Sequence, residues 1–299
     1  MPKAPKWRCK ALSRNVHRLT FDFTSRNQAA YVLLSSDRHW DNPHSDLELQ
    51  RKHLDEAVER GAPIIDNGDL FCMMQGRADP RSSKSDCRPE HQAGDYFDAV
   101  INTGADFFEP YAHNLCLLGT GNHETGVLKR MEFSPTTRLA ERLRAKTGAT
   151  IFEAGYTSWI IVQVRRITSG SKRPSSSNIK IWRTHGHGTG GGFNQGSTNF
   201  AKIQQFIVDA DLILHGHVHR EYMMTSNRVR LSSKGTVYQD TQTFLQIPSY
   251  KDEYGDGYSG VKSANWAVER GMPPKPIGAM WLKVFFDRDR LTFAIERAQ

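Results

Sequence analysis

Five short blocks of the sequence carry residues able to do chemistry: Asp37-Arg38-His39, Gly68-Asp69, Gly121-Asn122-His123-Glu124, His185 and Gly216-His217-Val218-His219. Together they offer carboxylate oxygens, an amide oxygen and imidazole nitrogens. That mixed donor set suits Mn, Fe, Zn or Ni, whereas Ca or Mg takes an all-oxygen shell. Singly, an aspartate or histidine at a strand end is more often a capping or core-edge residue. The conjunction carries the weight, because each block directly follows a run of β-type residues. Residues two apart in a strand point the same way, so Asp37 with His39, and His217 with His219, are expected to reach one site in pairs.

In this order the blocks resemble the sequence motifs of the calcineurin-like metallophosphoesterase superfamily, DxH, GDxx, GNH[DE], H and GHxH, here spanning residues 37 to 219. The resemblance implies hydrolysis of phosphate esters by two divalent metal ions, Mn foremost, with Fe, Zn or Ni as alternatives. It implies that Asp37, His39, Asp69 and His219 hold one ion, that Asp69, Asn122, His185 and His217 hold the other, and that Asp69 bridges them. By the same resemblance His123 contacts the phosphate and protonates the leaving oxygen. Asp66, His187 and His215 stand beside the ligand blocks and are candidates for supporting or substrate-facing positions. His185 is preferred to His187 as the lone ligand histidine because it comes first after its strand. Asp41 and Glu124 are expected to orient ligand histidines.

The wording Gly68-Asp69-Leu70-Phe71 resembles the DNA-repair exonuclease branch and points to a phosphodiesterase or nuclease. The alternatives are a phosphomonoesterase for a nucleotide or small phosphoester, and a catalytically silent scaffold with a phosphoesterase fold. The block continues with Cys72-Met73 where the protein-phosphatase branch has an acidic and an arginine residue, which argues against that branch.

Placing these blocks requires strands near 30–36, 63–65, 115–118, 178–184 and 212–214, each running into one of them. Helical patterns fall near 46–60, 95–109, 124–132, 136–146 and 198–208. β-Type runs at 157–167, 236–246 and 278–296 add further strands. The expected class is α/β: a two-sheet β-sandwich flanked by helices, four layers α/β/β/α, with strand ends meeting on one rim. Residues 73–94 read as a surface loop, and the glycine-rich 186–192 should border the site. Trp40, Phe71, Trp182 and Phe193 either pack in the core or stack on bases. The expected organisation is a basic N-terminal arm over 1–28 and one domain over 29–299, with late strands of the second sheet within 220–299.

Composition fits a globular chain, with 38% hydrophobic and 24% charged residues. No apolar run approaches the ~20 residues that cross a bilayer, and no cleavable leader is recognisable. Four scattered cysteines have neither disulfide-framework nor zinc-ribbon spacing, so a cytoplasmic location without membrane contact is expected. The net charge of +8 is concentrated in residues 1–18, where Lys3, Lys6, Arg8, Lys10, Arg14 and Arg18 stand without an acid. Nucleic acid is the partner such an arm suits, beside the phosphoester substrate itself.

Overall fold

Apolar runs bounded by polar turns make the strands, and amphipathic stretches between them make the helices. The computed structural model describes residues 4–75, 79, 82–83, 87–92, 94–167, 175–188, 197–255 and 266–299. In chain order the elements are β1 (Lys6–Ser13), β2 (Val16–Phe23), β3 (Ala29–Ser35), α1 (Leu47–Glu59), β4 (Ile64–Asp66), α2 (Tyr96–Phe108), β5 (Leu115–Leu118), α3 (Asn122–Met131), α4 (Pro135–Thr147) and β6 (Phe152–Glu153). They continue with β7 (Thr157–Arg166), β8 (Ser175–Thr184), α5 (Ser197–Gln204), β9 (Leu212–His215), β10 (Tyr222–Leu231), β11 (Val237–Gln246), α6 (Trp266–Glu269), β12 (Met280–Asp287) and β13 (Arg290–Arg297).

The strands form two mixed sheets. One has six strands in the order β13-β12-β3-β4-β5-β6, and the other has seven in the order β1-β2-β7-β8-β9-β11-β10. β3, β4, β5 and β6 run parallel, as do β8, β9 and β11, so their carboxyl ends gather on the same rim. Parallel strands covered on both faces read as unbroken apolar runs, which is why Leu115–Leu118 and Leu212–His215 lack alternation.

Period two then sorts side chains between layers. Val32 and Leu34 face the second sheet, meeting Leu19, Val162, Ile181 and Leu214. Leu33 faces the other way, into a core with Leu54, Val100, Phe108 and Leu139 from α1, α2 and α4. On the far face of the seven-stranded sheet, Phe200 and Ile203 of α5 pack on Ile213 and Phe244. The four-layer sandwich is therefore as expected. No helix among the described residues is long and apolar enough to cross a membrane.

The N-terminal segment differs from its expectation. Residues expected as a basic arm form β1 and β2, an antiparallel pair on the edge of the larger sheet that joins β7 in parallel. The reason is the alternation Leu19, Phe21, Phe23, whose side chains are almost wholly buried between the sheets. No boundary falls at residue 28. Lys6, Arg8 and Lys10 alternate on the exposed positions of β1, and Arg8 pairs with Asp22 at 2.9 Å. β10 is a further strand beyond those expected, because only one of its faces is partly covered and its run mixes Met, Thr, Asn and Arg. The expected helix at 198–208 ends at Gln204.

Candidate metal centre

The rim blocks lie just past the strand ends, in tight loops rather than in continuing strand. Asp37, His39, Asp69, His217 and His219 adopt positive φ, at 50°, 43°, 52°, 70° and 54°. They are five of the eight non-glycine residues with positive φ among the described residues. This left-handed backbone costs about 1 kcal/mol or more each for such side chains, and strain of that kind gathers at functional sites. The pairs two residues apart thus converge through left-handed turns, not through the strand pleat the spacing suggests. Two loops hold each other in this shape: Asp37 N donates to Gly68 O at 2.9 Å, His39 N to Asp69 O at 3.0 Å, and Trp40 N to Leu70 O at 2.8 Å. Close approach explains two glycines. A Cβ at Gly121 would collide with Asp69 Oδ1, and one at Gly216 would collide with Ser36 Oγ.

The side chains meet in two adjoining triads, Asp37 with His39 and His219, and Asp69 with His185 and His217. In the first, His39 Nε2 and His219 Nε2 are 3.1 Å apart, and Asp37 Oδ1 is 3.2 Å from His219 Nε2 and 4.0 Å from His39 Nε2. In the second, His185 Nε2 lies 3.2 Å from Asp69 Oδ2 and 3.1 Å from Asn122 Oδ1, which is also 2.6 Å from His217 Nδ1. Asp37 Oδ1 stands 3.9 Å from His185 Nε2, so the triads share a border. Ligands on one ion with bonds of about 2.0–2.2 Å stand roughly 3.0–3.4 Å apart, a spacing that the pairs at 3.1–3.2 Å match, while Asp37–His39 at 4.0 Å is wider and Asn122–His217 at 2.6 Å is tighter. His39 and His123 also form a third set of donors with Cys72.

Charge is balanced inside the cluster. Burial would push the Asp37 and Asp69 carboxyls up, yet histidines hold both well below the usual carboxylate range, chiefly His185 for each, with His219 beside Asp37 and His123 beside Asp69. Burial works against a charged His185, but Asp69 and Asp37 raise it to about 9. His219 is likewise raised to about 9 against its burial, by Glu253 and Asp37. Burial pushes His39 well below its ordinary value. In metal-free protein the protons on His185 and His219 therefore add stability that is fully present below about pH 6.5 and lost as pH rises through about 9. Each histidine belongs to a different triad, so filling both triads would displace both protons. Calorimetric titration with Zn at pH 7 in buffers of differing ionisation enthalpy should show release of at least two protons per chain, with affinity rising towards pH 9. Binding without proton release would contradict this charge balance.

Supporting residues fix the donors. Asn67 O lies 3.2 Å from His185 Nδ1, and Glu253 Oε2 lies 3.3 Å from His219 Nδ1. A carboxylate behind a ligand histidine fixes its tautomer and strengthens it as a ligand. Glu253, itself paired with Lys275 at 3.2 Å and Lys251 at 3.6 Å, is invisible in the sequence, since nothing local marks a carboxylate outside the motif blocks. Glu124 and Asp41 do not orient ligand histidines. Glu124 accepts from the amides of Asp69, Phe71 and Gly121, and Asp41 from those of Cys72 and Met73, so both hold the loop after β4 by its backbone. Asp66 accepts from Gly68 N at 3.1 Å and forms a buried ion pair with Arg38 at 3.0 Å.

The remaining candidates sort by position. His123 N donates to Asp69 Oδ1 at 2.9 Å, His123 Nδ1 meets Cys72 O at 2.6 Å, and Nε2 faces Asp69 Oδ2 at 3.8 Å. Asn122 and His123 open α3 and so diverge by helical rotation, not by strand alternation. His215 is fully buried and packs against Phe244, while His187 is exposed at the rim; neither joins a donor triad among the described residues. Trp40 and Phe71 belong to the core under the helices, and Trp182 packs towards α5. Phe193 and most of the glycine-rich segment lie outside the described residues.

No protein-family model matches the sequence, and no curated protein is similar to it at the sequence level. Among solved structures, the chain is similar to a conserved Streptococcus pneumoniae protein described as a predicted phosphoesterase, with 14% identity over 90% of both chains and a TM-score of 0.31. It is also similar to vacuolar protein sorting 29 from Cryptosporidium parvum, with 13% identity, 90% and 98% coverage and a TM-score of 0.33. A third similarity is to GAP50, the anchor in the inner membrane complex of Plasmodium, with 10% identity, 90% and 84% coverage and a TM-score of 0.43.

Proposed function

We propose that this chain is a dinuclear metal-dependent phosphoesterase of the calcineurin-like superfamily, acting on phosphodiesters. The observation that carries the reading is the adjoining pair of triads, Asp37–His39–His219 and Asp69–His185–His217, built on strained loops at the rim. Asp37, His39 and His219 would hold one ion and His185, His217 and Asn122 the other, with Asp69 contributing to both. When bound, such ions lower the pKa of an attacking water and neutralise charge on the phosphoryl oxygens.

The protein's own groups do the rest. His123 Nδ1–H donates a hydrogen bond to Cys72 O, which fixes the ring with Nε2 facing the site. In the imidazolium form, stabilised by the Asp69 carboxylate, Nε2 carries the proton that the leaving oxygen takes. A small cleft lined by Met73, Phe97, Val127, Arg130 and Met131 opens beside His123.

The test is an assay panel after reconstitution with Mn, Zn, Fe or Ni, comparing bis-p-nitrophenyl phosphate, p-nitrophenyl phosphate, and single- and double-stranded DNA and RNA. Cleavage of the diester and of nucleic acid ahead of the monoester is expected. Faster turnover of the monoester would make the chain a phosphomonoesterase. Two bound ions without activity on any ester would leave a silent scaffold.

Nucleic-acid contact through the N-terminal basic residues takes a test suited to strands. Deleting residues 1–18 would remove β1 and cut into β2, exposing the sheet's core, so neutralisation is the cleaner perturbation. Lys6→Gln with Lys10→Gln should weaken duplex binding and flatten the slope of log K against log salt by about 2, near 0.9 for each phosphate that is no longer neutralised. An unchanged slope would assign these lysines to solvent alone.

A further inference from the structure

The residue that departs from the phosphatase pattern, Cys72, turns up at the metal centre. Its thiol is buried, and its Sγ lies within 4.8 Å of ring nitrogens of His39 and His123. Donors that share one ion, with bonds of about 2.3 Å for sulfur and about 2.1 Å for nitrogen, stand at most roughly 4.4 Å apart, so the thiol would draw inward on binding an ion held by His39. The loop aims the thiol inward: Asp41 accepts from the amides of Cys72 and Met73, and Met73 holds a φ of 44°. Asn42 Nδ2 donates to Sγ at 3.5 Å, the kind of contact that supports a ligating sulfur. A buried cysteine is ordinarily a small inert hydrophobe among apolar neighbours; this one faces imidazoles.

Resting on the two-ion reading above, we propose that Cys72 is a metal ligand, its thiolate joining Asp37, His39 and His219 on the first ion. The sulfur–metal bond forms as the S–H bond breaks, and the proton leaves to solvent. His123 stays outside the coordination shell, its Nδ1 engaged by Cys72 O. A soft sulfur donor selects for Zn, Fe or Co over Mn, so this site should prefer softer ions than an all-nitrogen-and-oxygen site would.

Cobalt substitution tests the bond itself. Wild-type protein loaded with two Co ions should show a sulfur-to-cobalt charge-transfer band in the near ultraviolet. The band should disappear in Cys72→Ser and Cys72→Ala and persist in Cys87→Ser and His123→Ala, with circular dichroism confirming that each variant is folded. In competition between Zn and Mn, Cys72→Ser should lower the Zn-to-Mn ratio at one site by about tenfold or more, a loss that removal of an outer-shell partner alone can reach. Two Co ions bound without the band, or a band that survives Cys72→Ala, would overturn the sulfur ligand while leaving the two-ion reading intact. Failure to bind Co at all would overturn both.

Discussion

Replacing His123 with alanine should leave two ions bound per chain and lower turnover of an alkyl phosphodiester by roughly 10²–10⁴-fold, the usual loss for a positioned proton donor. The effect should be largest for poor leaving groups, because an alkoxide needs the proton and a nitrophenolate hardly does. His123 makes its ring contacts at Cys72 O and near Asp69, whereas the neighbouring Asn122 places its amide oxygen between His185 and His217. Asn122→Ala should therefore fail differently, through lower occupancy of the second ion. Elemental analysis beside kinetics on a nitrophenyl ester and an alkyl diester separates the two. Full activity of His123→Ala on the alkyl ester, or metal loss equal to that of Asn122→Ala, would refute this division of labour.

The second large effect is on stability. Arg38 and Asp66 are both 1% exposed and pair at 3.0 Å beneath the site, and Arg38 also reaches Ser35 Oγ, Gln50 and the ring face of Tyr250. Burial raises the Asp66 carboxyl against the pull of Arg38, so the pair does not fully offset its own desolvation. Breaking it is still costly, because Asp66→Ala leaves a buried guanidinium without its counter-ion. The expected loss is about 3–5 kcal/mol in urea unfolding. Arg38→Met combined with Asp66→Ala should cost less than Asp66→Ala alone, since no orphan charge remains. A single-variant loss below about 1 kcal/mol would show that Gln50, Ser35 and the aromatic faces suffice for Arg38.

The donor blocks are legible because side-chain type and chain order need no geometry: aspartate, asparagine and histidine just after apolar runs are recognisable as they stand. The central strands are legible for the same reason, since β3, β5 and β9 are short and largely or wholly buried. β2 is hidden by its charges, which mask Leu19, Phe21 and Phe23, although their alternation already marks a half-buried strand. β10 carries a weaker signal, as an edge strand has one neighbour and little of its surface need be apolar.

By itself, the sequence determined which residues are candidate metal donors, that they follow strands, and that the strands belong to a layered α/β sandwich. Tertiary structure decided how they meet. The left-handed turns at Asp37, His39 and Asp69 depend on backbone hydrogen bonds between loops some thirty residues apart, which no local pattern encodes. The carboxylate behind His219 arrives from Glu253, beyond β11, and the thiol beside His39 arrives from the loop after β4. Contacts between segments distant in the chain exist only once both sheets have packed, because burial of the apolar faces brings those loops to one rim and strips the donors of water.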